Sequence, residues 1–375
     1  MHPSVRETID YIAERVPYAG GVVFAFKNGE TVERSCFGYQ DMEAKIPVTD
    51  ETLFQIASMT KSFCTVLIST LVDEGLLDWD QPVKKYWPDY YAYDPYVSEH
   101  MTLTDLASHR SGICSHNKQR SMMTAEESLD LKQWAYRARN LQPCFGFRER
   151  FAYQNDLFNV LGYLAERVTG KSYVELMQER LAKPIGMEIF FRQIVDENET
   201  RYACGYEVDQ KTLAMERVDV HVVHPTSLCS GGVVTNLKGI EKWIRFLAAG
   251  CVTEDGKRLV SEKTYAKLIH PLIFRSFLSY PDQYQQYSLG LSPSVYRGEK
   301  LVYHGGVLKG FRSAMGFFPD LNSGYVVMIN SSSGPYAVLK RVLSDIALDQ
   351  VQPDYHEKCD RMITSFLNPP DMEKQ

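Results

Sequence analysis

Thr52-Leu53-Phe54-Gln55-Ile56-Ala57-Ser58-Met59-Thr60-Lys61 sets a serine and a lysine three residues apart where an apolar helix begins, one that continues through Phe63, Leu67 and Leu71. Positions i and i+3 share a helix face, so the hydroxyl and the amine can meet. A serine hydroxyl is a weak nucleophile until a neighbouring base takes its proton, and a lysine can do this once burial or nearby positive charge lowers its pKa. Taken alone, the Ser-x-x-Lys tetrad is as readily a helix N-cap at Ser58. A second copy, Ser115-His116-Asn117-Lys118, lies in a polar stretch with no apolar helix behind it and is read as a chance match.

Two further motifs give the tetrad its meaning. Of 23 tyrosines only Tyr153 is followed two residues later by asparagine, in Phe151-Ala152-Tyr153-Gln154-Asn155. In an extended loop, residues i and i+2 point the same way, so phenol and amide can address one site; a half-buried tyrosine beside a capping asparagine is the plainer alternative. Tyr303-His304-Gly305-Gly306-Val307 ends a strand, and its paired glycines either let backbone approach a ligand closely or turn the chain. Each motif is weak by itself. Their order, with separations of about 90 and 150 residues, points to one active site.

The surrounding chain predicts the scaffold. Residues 5–16 space Ile9, Ile12 and Val16 as an amphipathic helix, and two β-rich runs, 21–26 and 31–37, flank Asn28-Gly29, a hairpin signal. At the other end, runs 300–304, 311–318 and 324–330 alternate with turn residues before a helix at 337–348. Between them, 61–74, 104–108, 157–168, 173–181 and 237–249 read as helix or loop. Regular strand-helix alternation is missing, which disfavours a doubly wound parallel sheet. The expected fold is α/β of the α+β type: an antiparallel sheet built from both chain ends (1–52 and 285–352) flanked by helices, a large mostly helical domain over 53–284, and a C-terminal tail over 353–375. The cleft between sheet and helices is the expected site.

On these motifs, and on framework segments such as Leu71-Val72-Asp73-Glu74-Gly75, Ser108-His109-Arg110-Ser111-Gly112 and Lys183-Pro184-Ile185-Gly186-Met187, the chain resembles the serine β-lactamase and penicillin-binding-protein superfamily, in its class C-like esterase and D-aminopeptidase branch. The resemblance implies a β-lactamase/transpeptidase-like fold with Ser58 as the acylated nucleophile, Lys61 as its partner and Tyr153 as proton shuttle. It implies that Asn155 orients Lys61 and contacts substrate, and that the N–H groups of Ser58 and Val307, reached through Gly305 and Gly306, form the oxyanion hole. Lys61 and Tyr153 both have reference pKa values near 10, so they are treated as one coupled unit with no formal base chosen between them. One departure stands out. Penicillin-processing members usually carry Lys-Thr-Gly on this strand, whereas here His304 replaces the cation that holds a substrate carboxylate. Arg312 on the next strand is a candidate to compensate, with a structural arginine as the alternative. Residues 114–147, with Trp134 and Tyr136, and 221–229 are expected to wall the acyl pocket.

Composition narrows the partners. A net charge of -6 over 375 residues leaves no electrostatic footprint for nucleic acid or anionic membrane, and no apolar run approaches the ~18 residues of a membrane span. The first ten residues carry acids and lack an apolar core, so no secretory signal is expected and the cytoplasm is the expected compartment. Eight cysteines without C-x-x-C spacing suggest neither a zinc site nor a redox pair, and free thiols are expected over disulfides. Gly-x-Ser-x-Gly is absent, Gly170-Lys171-Ser172 reads as a helix C-cap, and His221 and His224 lack an acid to complete a metal site. No metal or cofactor is expected. The leading function is a serine hydrolase of small-molecule esters; a D-amino-acid amidase or peptidase, an acyltransferase, weak β-lactamase activity and a non-catalytic ligand-binding scaffold are the alternatives. The sequence does not indicate an oligomeric state.

Overall fold

A computed structural model describes residues 1–114, 130–191, 199–218, 228–278 and 282–368. The hairpin forms as the Asn28-Gly29 pair dictates: β1 (Gly20–Lys27) and β2 (Glu30–Asp41) are joined through Asn28 and Gly29 at φ 50° and 84°, the positive pair that matches strand twist. Among the described residues the main sheet has nine strands, all paired antiparallel. From one edge they run β3 (Ile46–Pro47), β2, β1, β9 (Ser323–Ile329), β8 (Phe311–Phe318), β7 (Glu299–Leu308), β6 (Ser292–Tyr296), β5 (Asp282–Tyr287) and β4 (Ile273–Phe277). The N-terminal hairpin thus joins the C-terminal strands through β1 and β9, and both chain ends build the sheet.

Both faces of this sheet are covered, which explains why β1 is apolar throughout and does not alternate. Side chains alternate across a strand. Val22, Phe24 and Phe26 therefore enter the core shared with the helical part, while Val23 and Ala25 enter a second core under the terminal helices. That second core is closed by α1 (Pro3–Ala13), which buries Val5, Ile9 and Ile12, and by α5 (Tyr336–Ala347).

The helical part centres on α2 (Thr60–Asp73), buried at every residue from Thr60 to Leu71. Its hydroxyls survive burial by bonding back to carbonyls one turn earlier, Ser62 to Met59, Thr65 to Lys61 and Ser69 to Thr65. Around it pack α3 (Asp156–Thr169) and α4 (Leu237–Ala248), the latter stacking Trp243 on Phe63 at 3.7 Å between centroids. Among the described residues no helix is long and apolar enough to cross a membrane.

Three features differ from expectation. The sheet takes in the chain from Ile273, ahead of residue 285, because β4 and β5 form an edge hairpin whose Asp-Gln-Tyr-Gln-Gln-Tyr strand lacks an apolar pattern. The described residues after 353 are largely helix: α6 (His356–Leu367) buries Cys359 and Ile363. It is tied in by Asp345, a fully buried carboxylate that accepts from Tyr296, Arg297 and Tyr355 at 2.8, 2.5 and 2.8 Å. The expectation of free thiols is corrected at one pair: Cys114 and Cys144 form a disulfide, closing a separation of 30 residues, while Cys36, Cys64, Cys204, Cys229, Cys251 and Cys359 are free.

Candidate active site

Ser58 lies in a single 3-10 turn (Ala57–Met59) at the mouth of α2, and the preceding Ala57 is held at φ 49°, left-handed backbone that non-glycine residues seldom adopt. The turn is pressed from the sheet side. A Cβ on Gly306 would lie 2.4 Å from the Ile56 carbonyl oxygen and 2.3 Å from Ser313 Oγ, so only glycine lets β7 come this close. Ser313 Oγ then donates to the Ile56 carbonyl at 2.8 Å, fixing the turn to β8.

Among the described residues β7 leaves one edge unpaired at this point: it pairs with β6 through Glu299 to Tyr303, whereas His304 to Leu308 pair only with β8. That edge, ending at Val307 with 62% of its surface exposed, borders the Ser58 turn.

Lys61 is fully buried one helical turn along, and its Nζ donates to Ser58 Oγ at 3.1 Å, Asn155 Oδ1 at 2.7 Å and the Ser230 carbonyl at 2.9 Å. The Tyr153 hydroxyl donates to Ser58 Oγ at 3.0 Å. Asn155 occupies the N-cap position of α3 but makes no cap bond, because its side chain is turned to Lys61. Burial pushes the Tyr153 phenol up to about 12, against the opposing Ser58 hydrogen bond and the charge of Arg275, so it is protonated at neutral pH.

The loop carrying Tyr153 is laid along the 109–114 segment. Cys144 N–H donates to Gly112, Arg148 to Arg110 and Ala152 to His109, at 2.9, 2.8 and 2.8 Å. The Cys114–Cys144 disulfide and two ion pairs reinforce this zipper, Arg148 and Arg110 both reaching the fully buried Asp105. Burial alone would raise the Asp105 pKa; the hydrogen bonds from Arg148 and Thr102 and the Arg110 charge outweigh it and hold the carboxyl below its ordinary range.

His109 locks the last residue before Asn155. Its Nδ1 accepts from Gln154 N–H at 3.1 Å, which puts the ring proton on Nε2, and the ring packs 4.2 Å from that of Tyr153. The sequence marked His109 only as framework; its role in seating the loop emerges from a contact across 45 residues. Ser230, Tyr287 and Arg275 gave no sequence signal at all.

His304 is held in one charge state. It is 5% exposed, with Nδ1 2.7 Å from the Gly305 carbonyl and Nε2 2.8 Å from the Tyr287 hydroxyl. A carbonyl only accepts, so Nδ1 carries the proton and Nε2 accepts from Tyr287. Burial and the nearby Lys61 charge push its pKa down to about 3, so the imidazole is neutral at any working pH and is no titrating substitute for a cationic anchor. The ratio of kcat/KM for a carboxylate-bearing ester to that for a matched neutral ester is therefore expected to stay flat from about pH 5.5 to 8, where a histidine of ordinary pKa would raise it on acidification. A several-fold rise at the acid end would contradict this neutral state.

Arg312 does not supply the charge either. Its Nη1 donates to the Leu308 and Phe311 carbonyls at 2.7 and 2.8 Å, bracing the β7–β8 turn, which selects the structural alternative. Tyr136 packs on Trp87 and Tyr163 in the helical core, and Trp134 is 4% exposed, so the expected pocket wall is not built from this pair. The Ser115–Lys118 tetrad, residues 115–129 of the expected wall at 114–147, His221, His224 and most of the expected wall at 221–229 lie outside the described residues.

The fold is that of the β-lactamase family. The chain belongs to the beta-lactamase family, whose model matches residues 5–348. Among curated relatives, an unguisins hydrolase of Aspergillus campestris is 27% identical over 321 residues, 82% of this chain and 58% of that protein. Protein flp of Staphylococcus aureus is 25% identical over 326 residues, 87% of this chain and 62% of its own length. The chain thus spans about three fifths of the curated relatives it matches. An octameric penicillin-binding protein homologue from Pyrococcus abyssi superposes with a TM-score of 0.75 at 25% identity, covering 95% of this chain and 78% of that one. A D-amino acid amidase from Ochrobactrum anthropi superposes at 0.72, covering 92% and 97%; at 22% identity this likeness concerns the fold alone.

Proposed function

We propose that the protein hydrolyses small esters or amides through an acyl-enzyme on Ser58, with esters preferred. The observation that carries this reading is the convergence of Lys61 Nζ and Tyr153 OH on Ser58 Oγ at 3.1 and 3.0 Å, at the free edge of β7. Ser58 Oγ attacks the carbonyl carbon as its proton passes to the Lys61–Tyr153 unit, which enters this step carrying one proton fewer than the fully protonated pair, and the N–H groups of Ser58 and Val307 hold the developing oxyanion. Collapse breaks the ester or amide bond, and Tyr153, protonated in the resting site, returns the proton to the departing alcohol or amine. Water then attacks the acyl-enzyme in the reverse sense. Nucleic acid and membrane have no part in this scheme. The cytoplasmic address expected from the N-terminus is weighed against by the Cys114–Cys144 disulfide, a bond typical of oxidising compartments.

A panel of p-nitrophenyl esters beside D-amino-acid p-nitroanilides tests the substrate order. Turnover of the esters is expected to exceed that of the anilides by at least about tenfold in kcat/KM, since the poorer amine leaving group demands more of the single proton donor. Turnover of the anilides alone would replace the esterase reading by a D-amino-acid amidase.

A further inference from the structure

With His304 neutral and Arg312 bonded to turn carbonyls, another cation stands at the site. Arg275 is an exposed residue of the edge strand β4, and its Cζ lies 5.1 Å from the centre of the Phe151 ring. Phe151 connects it to the reacting groups: its ring centroid is 6.2 Å from that of Tyr153, 5.6 Å from His109 and 5.3 Å from Tyr287, whose hydroxyl meets His304. Arg275 therefore stands over an aromatic floor that is continuous with Ser58. Burial dominates the acid-base behaviour of Tyr153, His109 and His304, raising the first and lowering the other two; the Arg275 charge reaches all three, opposing the rise at Tyr153 and adding to the fall at His109 and His304.

Arg275 also has capacity to spare. Among the described residues it makes no hydrogen bond or ion pair, whereas Arg110, Arg148, Arg201 and Arg297 are each engaged by carboxylates. A planar guanidinium stacked on a ring keeps its N–H edge free for a bidentate anion.

Resting on the hydrolase reading above, we propose that Arg275 is the anion-binding residue of this cleft and that the preferred substrates are esters or amides carrying a carboxylate several bonds from the scissile carbonyl. The spacing follows from the floor: a chain attached at Ser58 must cross the Tyr153 and Phe151 rings before its carboxylate meets the guanidinium.

Two matched ester pairs test this: the mono-4-nitrophenyl ester of suberic acid against 4-nitrophenyl octanoate, and 4-acetoxybenzoate against 4-acetoxybenzamide. Arg275→Ala is expected to lower the anionic-to-neutral ratio of kcat/KM by roughly tenfold in at least one pair, mainly through KM, the size fitting a charge contact at a partly exposed site. Arg275→Lys should retain part of the ratio, and added salt should depress it in the wild type but not in Arg275→Ala. An unchanged ratio in both pairs would overturn the proposal while leaving the hydrolase reading intact. So would equal losses on neutral and anionic esters with a displaced pH profile, since Arg275 would then act through Tyr153 alone. Failure of the wild type to turn over any of the four esters or the D-amino-acid p-nitroanilides would instead overturn the hydrolase reading, and this inference with it.

Discussion

Replacing Ser58 by alanine is expected to reduce turnover by on the order of 10⁵- to 10⁶-fold while leaving the protein folded. The loss is large because the hydroxyl is the atom that both Lys61 and Tyr153 address, and among the described residues no other hydroxyl shares those two partners. The fold should tolerate the change. Ser58 makes no helix-capping bond, and Lys61 keeps Asn155 and the Ser230 carbonyl as acceptors. Only the Tyr153 hydroxyl loses its partner, at a half-buried residue, so the change in stability should stay within about 1 kcal/mol. Intact-mass spectrometry after a fluorophosphonate probe, together with a melting curve, checks both halves. Wild type should gain one adduct and Ser58→Ala none; an adduct on both, or activity within tenfold of wild type, would remove Ser58 from its role.

Lys61→Met and Tyr153→Phe are each expected to lower kcat by roughly three to five orders of magnitude, and the double variant by little more than the worse single one, because groups acting as a unit lose their effect together. The two should differ in stability. Tyr153→Phe removes a hydroxyl beside the cleft, whereas Lys61→Met leaves Asn155 Oδ1 and the Ser230 carbonyl without their donor, at about 1–3 kcal/mol for each buried group. Urea denaturation of the pair separates this cost from the kinetic one. Multiplicative rate losses in the double variant would mean that lysine and tyrosine serve separate steps.

Much of this site was legible in the sequence because its parts are local. Ser58 and Lys61 meet through helix geometry, Tyr153 and Asn155 through an extended loop, and Gly306 is required by an approach that any side chain would block. The edge hairpin β4–β5 was not legible. Its strands carry exposed aromatics and amides in place of an alternating apolar face, and pairing with β6 makes them sheet. Residues 353–375 failed for a related reason: α6 is amphipathic, but its apolar stripe has meaning only where α1 and α5 leave a face to cover.

The sequence by itself determined which residues are candidates for the chemistry and in what order the chain presents them, since residue chemistry, turn signals and periodicity are properties of neighbours along the chain. Tertiary structure alone decided their states and their company. His304 is neutral because folding buries it between the Gly305 carbonyl and Tyr287 and near Lys61, a desolvation that outweighs its ordinary basicity. Cys114 found Cys144 because the Tyr153 loop zips along residues 109–114. Arg275 came to the reacting groups because an edge strand brought it over Phe151. Charge state and pairing depend on burial and on groups distant in sequence, and no local pattern encodes either.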